Sequence, residues 1–147
     1  MTTEIKDALF AVIEKNNWNG TEREDIIKID VDGQNGNWPT FARCLEDSRQ
    51  FLFYSVLTSK VKEDRLDAIV HLITRINYGL KIGNFELDYD TGELHFKTAV
   101  QLSEQAVDQG IIEGQIIINI LTMDEYLPII MKTIYSDDPL EKLLEST

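Results

Sequence analysis

The 147-residue sequence is short of nearly everything that marks a chemical site. It has one cysteine, Cys44, so an intramolecular disulfide is impossible and a reducing compartment is expected. Three prolines, no Ser-rich tract and no internal repeat leave nothing to read as a linker, so one domain over 1–147 is expected. No apolar run approaches the roughly 18 residues of a membrane span. The opening MTTEIKDALF carries Glu4 and no apolar stretch, unlike a secretory signal, so the expected location is the cytoplasm. Basic residues are scarce as well: 14 Lys and Arg against 26 Asp and Glu give a net charge of −12. A surface of that sign repels phosphate backbones and anionic lipids, which argues against nucleic-acid and membrane partners.

Catalytic and ligand motifs are missing too. There is no GxxxxGK[ST], GxGxxG, GxSxG or HExxH. The two histidines, His71 and His95, fall on a predicted helix and a predicted strand with no motif joining them. Cys44 has no neighbouring histidine to lower its pKa and reads as a structural thiol. Asp30-Val31-Asp32-Gly33 and Asp88-Tyr89-Asp90-Thr91-Gly92-Glu93 place carboxylates two apart, as calcium loops do. An EF-hand also needs a ligand at its fifth position, glycine at the sixth and glutamate at the twelfth. From Asp30 those positions hold Gln34, Asn35 and Phe41, and from Asp88 the fifth and sixth hold Gly92 and Glu93. Both loops fail, so no metal, no cofactor and no catalytic residue is assigned. The expectation is a protein that is not an enzyme, with an enzyme of unrecognised mechanism as the third reading.

What is present is regular patterning. Ile5, Leu9, Val12 and Ile13 recur at helical spacing, and Asn16, Asn17, Asn19 and Gly20 end that helix. Ile27, Ile29 and Val31 alternate with Lys28, Asp30 and Asp32 as in a half-exposed strand. The run Asp32 to Asn37 supplies turn residues, and Phe41 to Glu46 reads as the returning strand, with Pro39 restricting it to an edge or to its own start. Phe51 to Leu57 is apolar on both alternating faces, the pattern of a central or doubly covered strand. From Glu63 to Leu80 a helical stripe of Leu66, Ile69, Val70, Ile73, Asn77 and Leu80 is widened by Ala68, Leu72 and Ile76. A hairpin follows, with Phe85, Leu87 and Tyr89 before the Asp90-Thr91-Gly92 turn and Leu94, Phe96, Thr98 and Val100 after it. A last long helix carries Ile112, Ile116, Ile120, Met123, Leu127, Met131 and Ile134, and Pro128 is expected to kink or split it. Asp138-Pro139-Leu140-Glu141 has the form of a short helix start with Asp138 as N-cap. The order α-β-β-β-α-β-β-α predicts an α+β fold with an antiparallel sheet.

One feature points outward. The long C-terminal helix is apolar on more than one face, while a surface helix needs a single apolar stripe. Either both faces meet the protein's own sheet and helices, or one is a self-association or partner surface. The second reading makes Ile117, Leu121 and Tyr126, with exposed parts of the first helix, the candidate interaction residues. It also predicts a homodimer.

The segment from Phe53 to Tyr135 resembles the YbjN family of small bacterial proteins. Phe53-Tyr54-Ser55-Val56, Arg65, Thr74-Arg75-Ile76-Asn77-Tyr78-Gly79-Leu80 and Ile82-Gly83-Asn84-Phe85-Glu86-Leu87-Asp88 carry the resemblance. So do Asp90-Thr91-Gly92-Glu93-Leu94-His95-Phe96-Lys97 and Met123-Asp124-Glu125-Tyr126-Leu127-Pro128. Lys62 departs from it, standing where a proline is expected before the helix. The resemblance implies a fold similar to type III secretion chaperones and no catalytic activity. By analogy it implies a dimer that binds a polypeptide client or a regulatory protein. A regulatory domain sensing a small ligand in a cleft between sheet and C-terminal helix is the alternative. Within the resembling run, Gly79 and Gly83 are expected to let the backbone reverse, and Asn77 to hydrogen-bond a neighbouring carbonyl. Arg75 is expected to pair with Asp67 or Asp88.

Overall fold

The computed structural model describes residues 2–31 and 33–145. Helix α1 (Glu4–Lys15) is followed by β1 (Asn19–Arg23), β2 (Ile26–Asp30), β3 (Thr40–Leu45) and β4 (Gln50–Val56). A 3-10 turn over Glu63–Arg65 leads into α2 (Leu66–Gly79). Strands β5 (Asn84–Leu87) and β6 (Leu94–Gln101) come next, and α3 (Gln109–Tyr135) and α4 (Leu140–Leu144) complete the order. The six strands form one antiparallel sheet, β1-β2-β3-β4-β6-β5. This is the α+β architecture expected from the sequence, with one strand more.

The extra strand is β1. Its residues, Asn-Gly-Thr-Glu-Arg, have no apolar alternation because the strand lies at the sheet edge and is almost wholly exposed. It pairs with β2 so that Arg23 faces Ile26 across a two-residue turn, with Glu24 at φ 55°. Such turns favour Asn-Gly or Asp-Gly; Glu24-Asp25 gives no comparable signal. Strand β4 is interior, between β3 and β6, as its double-sided apolarity predicts. Pro39 precedes β3 and accepts from Val56 N at 3.0 Å, so it interrupts no ladder.

Alternation sends Ile27, Ile29, Ala42, Phe51, Phe53, Phe85, Leu94 and Phe96 to one side of the sheet, where α1, α2 and α3 cover them. Helix α2 contributes Leu66, Ile69, Leu72, Ile73 and Ile76 to this core, while Val70 turns to solvent. Asn77 clasps β5 in both directions. Its Oδ1 accepts from Phe85 N at 2.8 Å and its Nδ2 donates to Phe85 O at 3.0 Å. Gly83 takes φ 78°, and a Cβ there would lie 2.8 Å from the Lys97 carbonyl, so only glycine fits without strain. Gly79 has no such need: it keeps negative φ, and a Cβ there would meet open space. Lys62, at φ −72° and ψ 154°, has the backbone a proline would adopt.

Besides Gly79, one local expectation is narrowed and two are corrected. Of the kink or split expected at Pro128, the split does not occur: helix α3 continues through it. Proline removes the donor for the Asp124 carbonyl, and Asn35 Nδ2 replaces it at 3.0 Å. Asp138 does not cap α4; Pro139 is the N-cap residue, and the Asp138 carboxylate reaches forward to Lys142 Nζ at 3.7 Å. Arg75 pairs with neither acid: its Nε–H donates to His71 Nε2 at 3.0 Å, while Asp67 accepts from the Tyr89 hydroxyl at 2.7 Å.

Candidate interaction surface

Helix α3 is fixed at its start by Asp108, whose carboxylate accepts from Gly110 N at 2.8 Å. Its inner face is held by packing and by one polar knot. Asn119, fully buried, accepts from Ser55 Oγ at 2.6 Å and donates to Phe53 O, Phe96 O and Thr98 Oγ1 at 2.9–3.1 Å. A buried amide is tolerable only when its bonds are made, and here they fasten α3 to β4 and β6 at once. Glu113 accepts from Asn16 Nδ2 at 2.7 Å and Lys15 Nζ at 3.1 Å, tying α3 to the end of α1. Those two bonds hold the Glu113 carboxyl below its ordinary pKa. At the far end, Asp124 Oδ1 accepts from Asn35 N at 2.7 Å.

With its inner face so occupied, α3 presents Ile111, Gly114, Ile117, Leu121, Glu125, Pro128, Lys132 and Tyr135 outward at spacings of three and four. Ile111 is 43% exposed, Ile117 42%, Leu121 59% and Tyr135 62%. Only Glu125 and Lys132 bring charge to this stripe. An outward helix face is ordinarily polar, so the persistence of apolar residues along 27 residues is the departure that needs a cause. The three residues singled out from the sequence are divided by the structure. Ile117 and Leu121 lie together on the outward stripe. Tyr126 is half-buried against Phe85, edge to face at 6.0 Å between ring centres. On α1 the exposed residues include Asp7, Glu14 and Lys15, so its outer face is charged.

The groups that carry chemistry elsewhere are dispersed. His71 lies on the exposed side of α2 with Arg75. His95 Nε2 is 2.7 Å from Glu86 Oε1, and Lys97 Nζ is 2.9 Å from Glu86 Oε2. Burial alone would raise the Glu86 carboxyl, but hydrogen bonds from Lys97, His95 and Asn84 outweigh it and hold the pKa at about 2. Burial, reinforced by Glu46, pushes the half-buried Cys44 thiol up to about 12, which suppresses its thiolate. Asp88, from the second acidic loop, accepts from Asp90 N and Thr91 N at 2.9 and 3.3 Å, closing the hairpin turn. Asp32, from the first, lies outside the described residues. Among the described residues no three His, Cys, Asp or Glu side chains converge as a metal site would require. The sequence reading missed Asn119, although a lone amide between Ile116 and Met123 in an apolar stripe is its signal.

The model of the YbjN family, described as "Putative bacterial sensory transduction regulator", matches residues 6–128. The chain belongs to that family. Among solved structures, YbjN from E. coli superposes with a TM-score of 0.60 at 14% identity, over 83% of this chain and 93% of that one. A chain of the ExsC–ExsE complex gives 0.60 at 14% identity, over 86% and 92%. A chain of the HopA1–SchA chaperone–effector complex gives 0.53 at 11% identity, over 84% and 91%. The fold is thus the one shared by YbjN and type III secretion chaperones. No curated protein matches the sequence.

Proposed function

We propose, with membership of the YbjN family as the premise, that this chain is a non-catalytic protein-interaction domain, chaperone-like or regulatory, that binds a polypeptide along the outward face of α3. In this reading residues 1–147 act as one cytoplasmic domain and as a homodimer. The observation that carries it is the exposed apolar stripe of Ile111, Ile117, Leu121 and Tyr135, extended toward β5 by the edge of Tyr126. Covering such side chains recovers on the order of 1 kcal/mol each, since they are only partly exposed. The stripe therefore favours a cover, and a partner's apolar segment supplies one. Complex formation by relatives on this fold, as in the HopA1–SchA chaperone–effector complex, supports the same reading. The small-ligand alternative needs a cleft between sheet and α3. Over the middle of the sheet that space is packed by Phe53, Phe96, Asn119 and Thr98, and the opening that remains at the end of α3, beside Asn35, Leu57, Leu127 and Met131, is mainly apolar, which favours the polypeptide reading.

The test is affinity capture from the native host's lysate with the wild-type chain and with Leu121→Asp, alongside solution masses of both. The expected result is one protein recovered near stoichiometrically, retained at moderate salt, and lost with Leu121→Asp, on a bait with the mass of two chains. Recovery of bait alone, or of basic proteins that wash off with salt, contradicts the reading.

A further inference from the structure

We propose that the helix-free face of the sheet is a second docking surface, and that its occupant is an acidic polypeptide segment carrying apolar side chains. This stands on observations separate from the α3 stripe. Every long helix packs on one side of the sheet, where β2, β4 and β6 send their buried residues. The other side has no covering element among the described residues. Yet β4 is apolar there too: Leu52, Tyr54 and Val56 point to that face, and Phe41 stands directly opposite Tyr54. With Ile26, which is 43% exposed, Phe41, Tyr54 and Val56 line a shallow apolar groove that reaches His95. Strands apolar on both sides are found where both sides are covered.

Charge identifies the cover. The chain as a whole carries −12, but this face carries Arg23, Lys28, Arg43 and Lys97 against Asp30 and Glu86, with Glu93 at the rim. Glu86 is taken up by Lys97 and His95. Arg23, Lys28 and Arg43 have no acidic partner among the described residues, in a protein with nearly twice as many acids as bases. An aromatic groove edged by Arg43 and flanked on the same face by Arg23 and Lys28, on an otherwise acidic protein, complements an anionic ligand with apolar groups. The patch is on the order of 20 Å across, from strand spacing and rise. A short acidic segment fits within it. A nucleic acid would extend beyond it into the acidic surroundings, which repel phosphate within about a Debye length of 10 Å. A second copy placed symmetrically would set basic face against basic face.

The full chain is titrated, by fluorescence anisotropy, into a labelled short peptide alternating Glu with Leu and Phe, into its Lys counterpart, and into single-stranded oligouridylate. The acidic peptide is expected to saturate, to weaken as salt rises, and to bind more tightly than either other probe. The pair Lys28→Glu and Arg43→Glu is expected to weaken it about tenfold or more, and Arg43→Gln by less. Thermal melting of each variant verifies the fold. Leu121→Asp is expected to leave this affinity unchanged, whatever becomes of the α3 surface. Absence of acidic-peptide binding, equal binding of both peptides, tighter binding of RNA, or undiminished affinity in a folded Lys28→Glu, Arg43→Glu chain would each overturn the proposal. So would loss of binding with Leu121→Asp.

Discussion

Single residues settle where α3 sits. Asn119 makes four hydrogen bonds while fully buried, and its truncation strands partners on both β4 and β6. Asn119→Ala is expected to cost about 2–4 kcal/mol, the range for an opened buried network, as read by urea unfolding. A loss under about 1 kcal/mol would mean the knot is not a fastening. Glu86 supplies a pH dependence. Its carboxyl sits at about 2 when folded against an ordinary 4.5, so the unfolded chain binds the proton more readily. The stabilisation is therefore complete above pH 4.5 and fades as pH falls toward 2. The melting difference between wild type and Glu86→Gln is expected to shrink across that window; a difference independent of pH would contradict the assignment. Neither residue's role follows from spacing alone, because each depends on strands brought together from distant parts of the chain.

Elements were legible in proportion to how one-sided their burial is. Helices α1 and α2 and the β5–β6 hairpin follow the apolar periods of the sequence, since one face of each meets the core. Strand β1 escaped because an exposed edge strand needs no apolar alternation. Whether α3 continues past Pro128 is not legible locally, because the donor that serves the Asp124 carbonyl is Asn35, 89 residues away in sequence. The same long-range logic operates at α1, where Glu46 accepts from Ile5 N and Lys6 N, both at 3.0 Å, in place of a local cap. For the loop before β3, Asn35→Ala is expected to lower stability by about 1 kcal/mol. It is also expected to speed amide exchange across residues 33–38 while α3 amides keep their protection. Unchanged exchange in that loop would mean that the Asn35–Asp124 bonds do not hold it.

At the scale of the whole molecule, the described residues form a sheet with helices on one side, a helix whose far side is still apolar, and an uncovered sheet face where bases outnumber acids, against the balance of the chain. The apolar excess of α3 was visible in the sequence, and Ile117 and Leu121 lie where that excess placed them. Tyr126, named with them from the sequence, is half-buried against Phe85, because helical spacing alone does not say which neighbour a side chain meets. The basic character of the sheet face was not legible, since Arg23, Lys28, Arg43 and Lys97 are scattered singly until strand pairing gathers them. The central claim, that the outward face of α3 holds a polypeptide, is tested most directly by photocrosslinking in the native host. A benzophenone side chain is placed at Leu121 in one chain and at exposed Glu14 in another. A discrete higher-mass adduct is expected from position 121 and none of comparable yield from position 14. Equal yields from the two positions, or no adduct from position 121, would contradict it.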